Sequence, residues 1–222
     1  MKLLSISATG TRVSRYLIPL TPLMINIPCS LSLFHDKKCG MSFYSIVRGK
    51  KKQYYWSKLL AVFIVTTIVF SLPFIIEIIL NCISFPLEAT GDQALWSVYS
   101  VEGTKAIRSY LLTSLYVYSP YLYSVCLAFF FGAFCGLFAC FTLTITALSD
   151  SFLGVFYYIP TFAILYLSGT VYVNEPYLKY NWTTYLFLFN TREKSVVFLL
   201  FILFIIAFVI IGTQYAIQKD EL

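Results

Sequence analysis

Residues 59–76 read LLAVFIVTTIVFSLPFII, eighteen residues without a charge. As a helix they rise about 27 Å at 1.5 Å per residue, which matches hydrocarbon about 30 Å thick and marks a membrane span. The 22 residues before them, 37–58, read KKCGMSFYSIVRGKKKQYYWSK and hold seven of the chain's 16 basic residues. Positive charge on a short loop beside a span is retained on the cytoplasmic side. The loop is therefore predicted to be cytoplasmic, the span from about Leu59 to Ile83 runs outward, and the sides of all other segments follow.

The rest of the composition agrees with a membrane protein. The 222 residues are 59% hydrophobic and 12% charged, with a mean hydropathy of +0.79, where soluble domains carry about 25% charged residues. Residues 1–222 read as one transmembrane domain, all-α, a polytopic helical bundle of five to six spans. The formal net charge of +6 sits in the basic loop and the remaining charges nearly balance, so nucleic acid is not an expected partner. Six cysteines form no CxxC pair and lie mostly in apolar runs, where Cys acts as a small hydrophobe. No metal site is expected. No cleavable signal peptide is evident: the first apolar stretch is broken by Pro19, Pro22 and Pro28.

Uncharged runs place the other spans at about 16–34, 121–148, 151–172 and 195–217. The run from Ser109 to Ser149 would be about 60 Å long as one helix, twice the bilayer core. Tyrosines crowd its first third, at 110, 116, 118, 121 and 123, and tyrosine collects at the headgroup level. That third is assigned to the outer interface. Within the span that follows, Gly132 and Gly136 form a GxxxG pair, a small-residue face for close helix packing, inside this subunit or against a second copy. The next two spans form a hairpin turning near Asp150, Tyr172 to Lys194 is external, and the C-terminus is cytoplasmic. This parity starts the first span outside although Lys2, Arg12 and Arg15 precede it. Two accounts stay open: a proline-broken re-entrant segment, or a preceding span outside this chain.

The basic loop has internal order. Phe43, Ile46 and Val47 stand at helical spacing in Gly40–Val47, giving a short amphipathic helix able to lie along a membrane or enter a partner's groove. Arg48 and Lys50–Lys52 follow, then an aromatic anchor of Tyr54, Tyr55 and Trp56. Ordinary topogenesis also accounts for such a pattern. Among the remaining candidates, Glu77 is the one carboxylate well inside a span and lies four residues after Pro73. A buried ionisable group is a functional candidate by default, although Glu77 could also reach the outer interface. Asn81, one turn on, shares its face. Asp150 suits a helix cap or a second cytoplasmic contact. His35 is the only histidine, too few for a triad or a metal site.

The order Asp36, Gly40, a short apolar helix, then Arg48, Lys51, Tyr54, Ser57 and Lys58 leading into a long span resembles the type-2 ATP-binding-cassette (ABC) exporter permeases of bacteria. Tyr121-Leu122-Tyr123, Phe129-Phe130-Phe131-Gly132 and the small and hydroxyl residues from Leu143 to Ser149 extend the likeness, which covers about Asp36 to Gln218. The resemblance implies that 36–58 is a cytoplasmic coupling segment, with Gly40, Phe43, Tyr44, Ile46, Val47, Arg48, Lys51 and Asp150 facing an ATPase. It implies a cytoplasmic ABC ATPase partner that binds ATP and Mg, a second permease subunit (identical or a sister chain), surrounding membrane lipid and a plasma-membrane location. It also implies six spans, one more than this chain accommodates. The chain itself has no cofactor and no ATPase motif: Gly49-Lys50 lacks the upstream glycine and the following Ser or Thr of a phosphate loop. No paired acids or nucleophile and base lie inside the spans, so an enzyme is not expected. The rival readings are a non-transporting assembly or immunity factor, and an ER-resident protein. The latter draws on the terminal Lys219-Asp220-Glu221-Leu222 and the sequon Asn181-Trp182-Thr183, but retrieval needs a luminal C-terminus.

Overall fold

The computed structural model describes residues 20–27, 31–41, 51–84, 120–148, 154–170, 182 and 196–219. They form α1 (Ser32–Lys38), α2 (Lys51–Ser84), α3 (Pro120–Leu148), a 3-10 turn (Gly154–Tyr157) leading into α4 (Tyr158–Thr170), and α5 (Val196–Lys219). No strand occurs among the described residues. The chain is an all-α bundle in which three helices, Lys51–Leu80, Leu122–Leu148 and Phe198–Gln218, are long and apolar enough to cross a membrane. Helices are the form such segments take because a bilayer supplies no water to backbone amides and carbonyls.

Helix α3 is the centre. Of its most apolar window 61% is buried within the chain, against 17% for α2 and 22% for α5. Helix α2 lies antiparallel to it: Phe131 meets Phe70 and Phe74, Gly132 meets Thr67 and Ser71, Gly136 meets Phe63, and Cys140 bonds the carbonyl of Leu59. Helix α5 runs parallel to α3, since Phe134 meets Phe198, Phe138 meets Phe201, Phe141 meets Phe208 and Thr144 meets Gly212. The start of α2 and the ends of α3 and α5 therefore share one end of the bundle, here termed the basic end. The outward faces of α2 and α5 carry Leu60, Ile64, Ile68, Leu203, Phe204 and Ile211, the surface that lipid tails cover.

Two further expected spans are described only in part. Residues 16–34 are not one helix: 20–24 are helical, 25–27 turn, and α1 begins only at Ser32. The turn tightens through three-residue bonds, Asn26 N–H to the Leu23 carbonyl and Ile27 N–H to the Met24 carbonyl, just ahead of Pro28, whose ring disfavours helix in the residue before it. Of the expected span at 151–172 the described residues hold the 3-10 turn and α4, whose 13 residues reach about 20 Å. Of the interfacial stretch Ser109–Pro120 only Pro120, the first residue of α3, is among the described residues.

Candidate functional site at the basic end

Helix α1 ends in His35, Lys37 and Lys38, and the two lysines are cations that suit the negative end of a helix dipole. Gly40 follows at φ 70°, a left-handed conformation that glycine adopts without a side-chain penalty. Asp36 turns from α1 toward α2 and accepts two hydrogen bonds at 2.7 Å, one from the Tyr54 hydroxyl and one from the Lys58 ammonium. Tyr54 and Lys58 are four residues apart and so stand on one face of α2. Burial raises the Asp36 pKa, but the bonds from Lys58 and Tyr54 and the charges of Lys58 and His35 outweigh it, and the carboxyl sits below its ordinary value. Beside this clasp, Lys37 donates at 3.3 Å to the carbonyl of Ala147, one of the four that the last turn of α3 leaves unsatisfied. One short helix thus ties together the beginning of α2 and the end of α3.

About one turn inward lies a polar network. The Thr142 hydroxyl, wholly buried, is 2.7 Å from Asn26 Oδ1 and 2.6 Å from the Thr161 hydroxyl. Asn26 in turn donates at 3.2 Å to the carbonyl of Pro22. These bonds link the broken N-terminal segment, α3 and α4 where hydrophobic burial provides no drive between helices surrounded by lipid. Thr144 and Thr146 bond carbonyls of their own helix, those of Cys140 and Leu143. The hydroxyl run thus divides between one inter-helix bond set and local satisfaction.

Midway along α3, Phe134 is stacked between Trp182 and Phe198, with centroids at 5.6 and 6.1 Å. The Trp182 indole N–H donates at 2.8 Å to the Leu165 carbonyl of α4. A Cβ on Gly169 would stand 2.9 Å from that nitrogen, so the glycine makes room for the ring. Trp182 is 1% exposed and level with the middle of α3, within a stretch expected as a partly buried external loop. Trp182 is the one residue of that stretch among those described.

Of the coupling residues named from sequence, the structure places Gly40 at the exposed end of α1 and Lys51 at the start of α2. Phe43, Tyr44, Ile46, Val47, Arg48 and Asp150 lie outside the described residues. Glu77 is half-buried on α2, and Asn81 lies on the same helix, its side chain outside the description. Gly132 and Gly136 face α2 within this chain, where a Cβ would come to 2.6 Å from the Thr67 carbonyl oxygen and 2.7 Å from the Thr67 hydroxyl, respectively. Among the described residues no group of three His, Cys, Asp or Glu side chains gathers as a metal site would need. Sequence reading marked Asp36, Tyr54 and Lys58 as points of an order without pairing them, and did not single out Asn26 or Thr161. A lone Asn in an apolar stretch and a Thr facing it across helices were the available signals. The chain matches no known protein family, no curated protein and no solved structure.

Proposed function

We propose that this chain is the membrane-spanning permease subunit of an ATP-driven ABC exporter. Two such subunits, identical or paired with a sister chain, move a hydrophobic, peptide or drug-like substrate out of the cytoplasm, and a separate ATPase subunit binds ATP and Mg. The observation that carries the reading is the clasp. Asp36, just before the basic segment, is bonded to Tyr54 and Lys58 on α2, so a force delivered to α1 reaches α2 directly. The tie from Lys37 to Ala147 passes the same push to α3. The basic end is cytoplasmic in this reading, and the C-terminus of α5 shares it. The location is the plasma membrane, where positive-inside charge and the three long helices are at home.

The test is affinity purification of the intact chain from its native membrane, with an ATPase assay on what is recovered. A co-purifying ATPase whose turnover and retention fall with Phe43→Asp or Arg48→Glu supports the proposal. Recovery without any nucleotide-binding subunit, with both variants leaving the phenotype intact, overturns it and favours a binding-only membrane protein. Orientation is read independently. An impermeant maleimide reaches exposed Cys39 from the cytoplasmic side of intact vesicles if the basic end is inside, and from the opposite side if it is not.

A further inference from the structure

The middle of α2 concentrates several helix-weakening features in about two turns. Pro73 lies inside the helix and has no N–H to give the carbonyl of Val69. Thr67 bonds back to the Phe63 carbonyl at 2.7 Å, and Ser71 to the Thr67 carbonyl at 2.6 Å, a pattern that competes with the helix ladder and bends helices. Ser71 also lies 3.4 Å from the Ile68 carbonyl. Thr66 is wholly buried, and its hydroxyl has no hydrogen-bond partner among the described residues, a cost that a second conformation can relieve.

The packing around this region is asymmetric. On the basic side, α2 is held by the Asp36 clasp, by Gly136 against Phe63 and by Cys140 on the Leu59 carbonyl. At the weak turn, Phe131 presents edge-on contacts to Phe70 and Phe74, one on each side of Pro73. Beyond it, Ile76, Ile79, Leu80 and Ile83 are exposed to between 47% and 76%, and among the described side chains of α2 after Phe74 Ile78 is the one that is buried.

We propose that α2 is a hinged helix: the half beyond Pro73, which carries Glu77, swings against α3 about residues 67–73, with Phe131 and Gly132 as the fulcrum. The intramembrane carboxylate then moves between environments as the hinge works. The hinge is independent of the coupling reading, because it is built within this chain and needs no ATPase.

Spin-label distances on the full chain in lipid nanodiscs test it, with Cys29, Cys39, Cys82 and Cys126 replaced by serine. Leu80→Cys with Leu122→Cys reports the far half. Leu60→Cys with Ile211→Cys reports the basic half. A 20° bend nine residues before Leu80 displaces that position by about 5 Å. The expected result is a far-half distribution broader than the basic-half one by about that amount, collapsing to a single narrow peak in Pro73→Ala. Equal widths for the two pairs, unchanged by Pro73→Ala, overturn the proposal. Amide exchange on the unlabelled wild-type chain gives a second readout should Pro73→Ala fail to fold. Faster exchange over 68–76 than over either flank is expected, and uniform protection along α2 overturns it. A chain that recruits no ATPase but hinges, or the reverse, separates this inference from the proposed function.

Discussion

Replacing Gly132 with alanine puts a methyl group where α3 touches the backbone of α2. The new Cβ would lie 2.6 Å from the Thr67 carbonyl oxygen, where ordinary contact begins at 3.4 Å. The missing 0.8 Å (3.4 minus 2.6) cannot come from a side-chain rotation, because the obstructing atom is main chain. The two helices must part, loosening the contacts of Phe131 with Phe70 and Phe74. Overpacking of this kind costs about 1–3 kcal/mol, and a backbone clash belongs at the upper end. Alanine returns about 1 kcal/mol through helix propensity, leaving a net loss of about 2 kcal/mol. Gly136→Ala meets the Thr67 hydroxyl at 2.7 Å and the Phe63 carbonyl at 3.0 Å. The hydroxyl can turn away at the loss of its bond to the Phe63 carbonyl, and 0.4 Å (3.4 minus 3.0) of overlap with the Phe63 carbonyl and ring remains, so this variant should lose less than Gly132→Ala. Reversible unfolding of the purified protein in mixed micelles, titrated with SDS, measures both. The reasoning fails if Gly132→Ala is as stable as the wild type, or if Gly136→Ala is the more damaging of the two.

Other outcomes follow from the same contacts. Thr142→Val leaves Asn26 Oδ1 and the Thr161 hydroxyl without the bonds that join them and should cost about 1 kcal/mol. Asn26→Leu in that background should add less than it does alone, as a double-mutant cycle would register. Trp182→Phe keeps the ring stack but loses the bond to Leu165, a cost of about 1 kcal/mol, whereas Trp182→Ala empties a buried site for about 3–5 kcal/mol. Both are read by thermal unfolding. The Asp36 carboxyl has a lowered pKa in the folded chain, so its contribution is complete above its unfolded value, about 3.9, and is lost as pH falls through the lower folded one. Asp36→Asn should therefore be less stable than wild type at neutral pH and converge with it in acid, a difference visible in a pH series of unfolding midpoints.

How much the sequence told depends on the kind of force involved. The spans at 59–83, 121–148 and 195–217 were legible because the cost of an unpaired backbone in hydrocarbon acts on every residue of a segment and needs no partner to be known. The observed helices, Lys51–Ser84, Pro120–Leu148 and Val196–Lys219, lie close to those bounds. Prolines that interrupt an apolar run break this independence of segments. Residues 16–34 have enough apolar length for a span, yet the chain turns at 25–27, where a polar Asn26 finds Thr142 from another helix. That partner lies 116 residues away, and hydropathy carries no information about it. The place of Trp182 was equally hidden, since its partners, the Leu165 carbonyl and the space beside Gly169, belong to another helix.

Charge patterning likewise located the basic segment but not its internal bonds. Seven cations between 37 and 58 predict a side of the membrane, because each contributes independently to retention. That Asp36 selects Tyr54 and Lys58 is a matter of geometry, set by where α1 lies on α3 beside the start of α2. Gly132 and Gly136 were readable as a small-residue face, while the surface they meet was left open between this subunit and a second one. The structure places α2 there, with Thr67 and Phe63 against the two glycines. The sequence by itself determined an all-helical membrane protein with one strongly basic end, because solvation of backbone and of charge is a local property of each segment. Only the tertiary structure decided which helix is central, that α5 runs parallel to α3, and which polar groups meet inside. Those outcomes depend on short-range packing and hydrogen bonding between residues far apart in the chain, and such forces exist only once the helices are in contact.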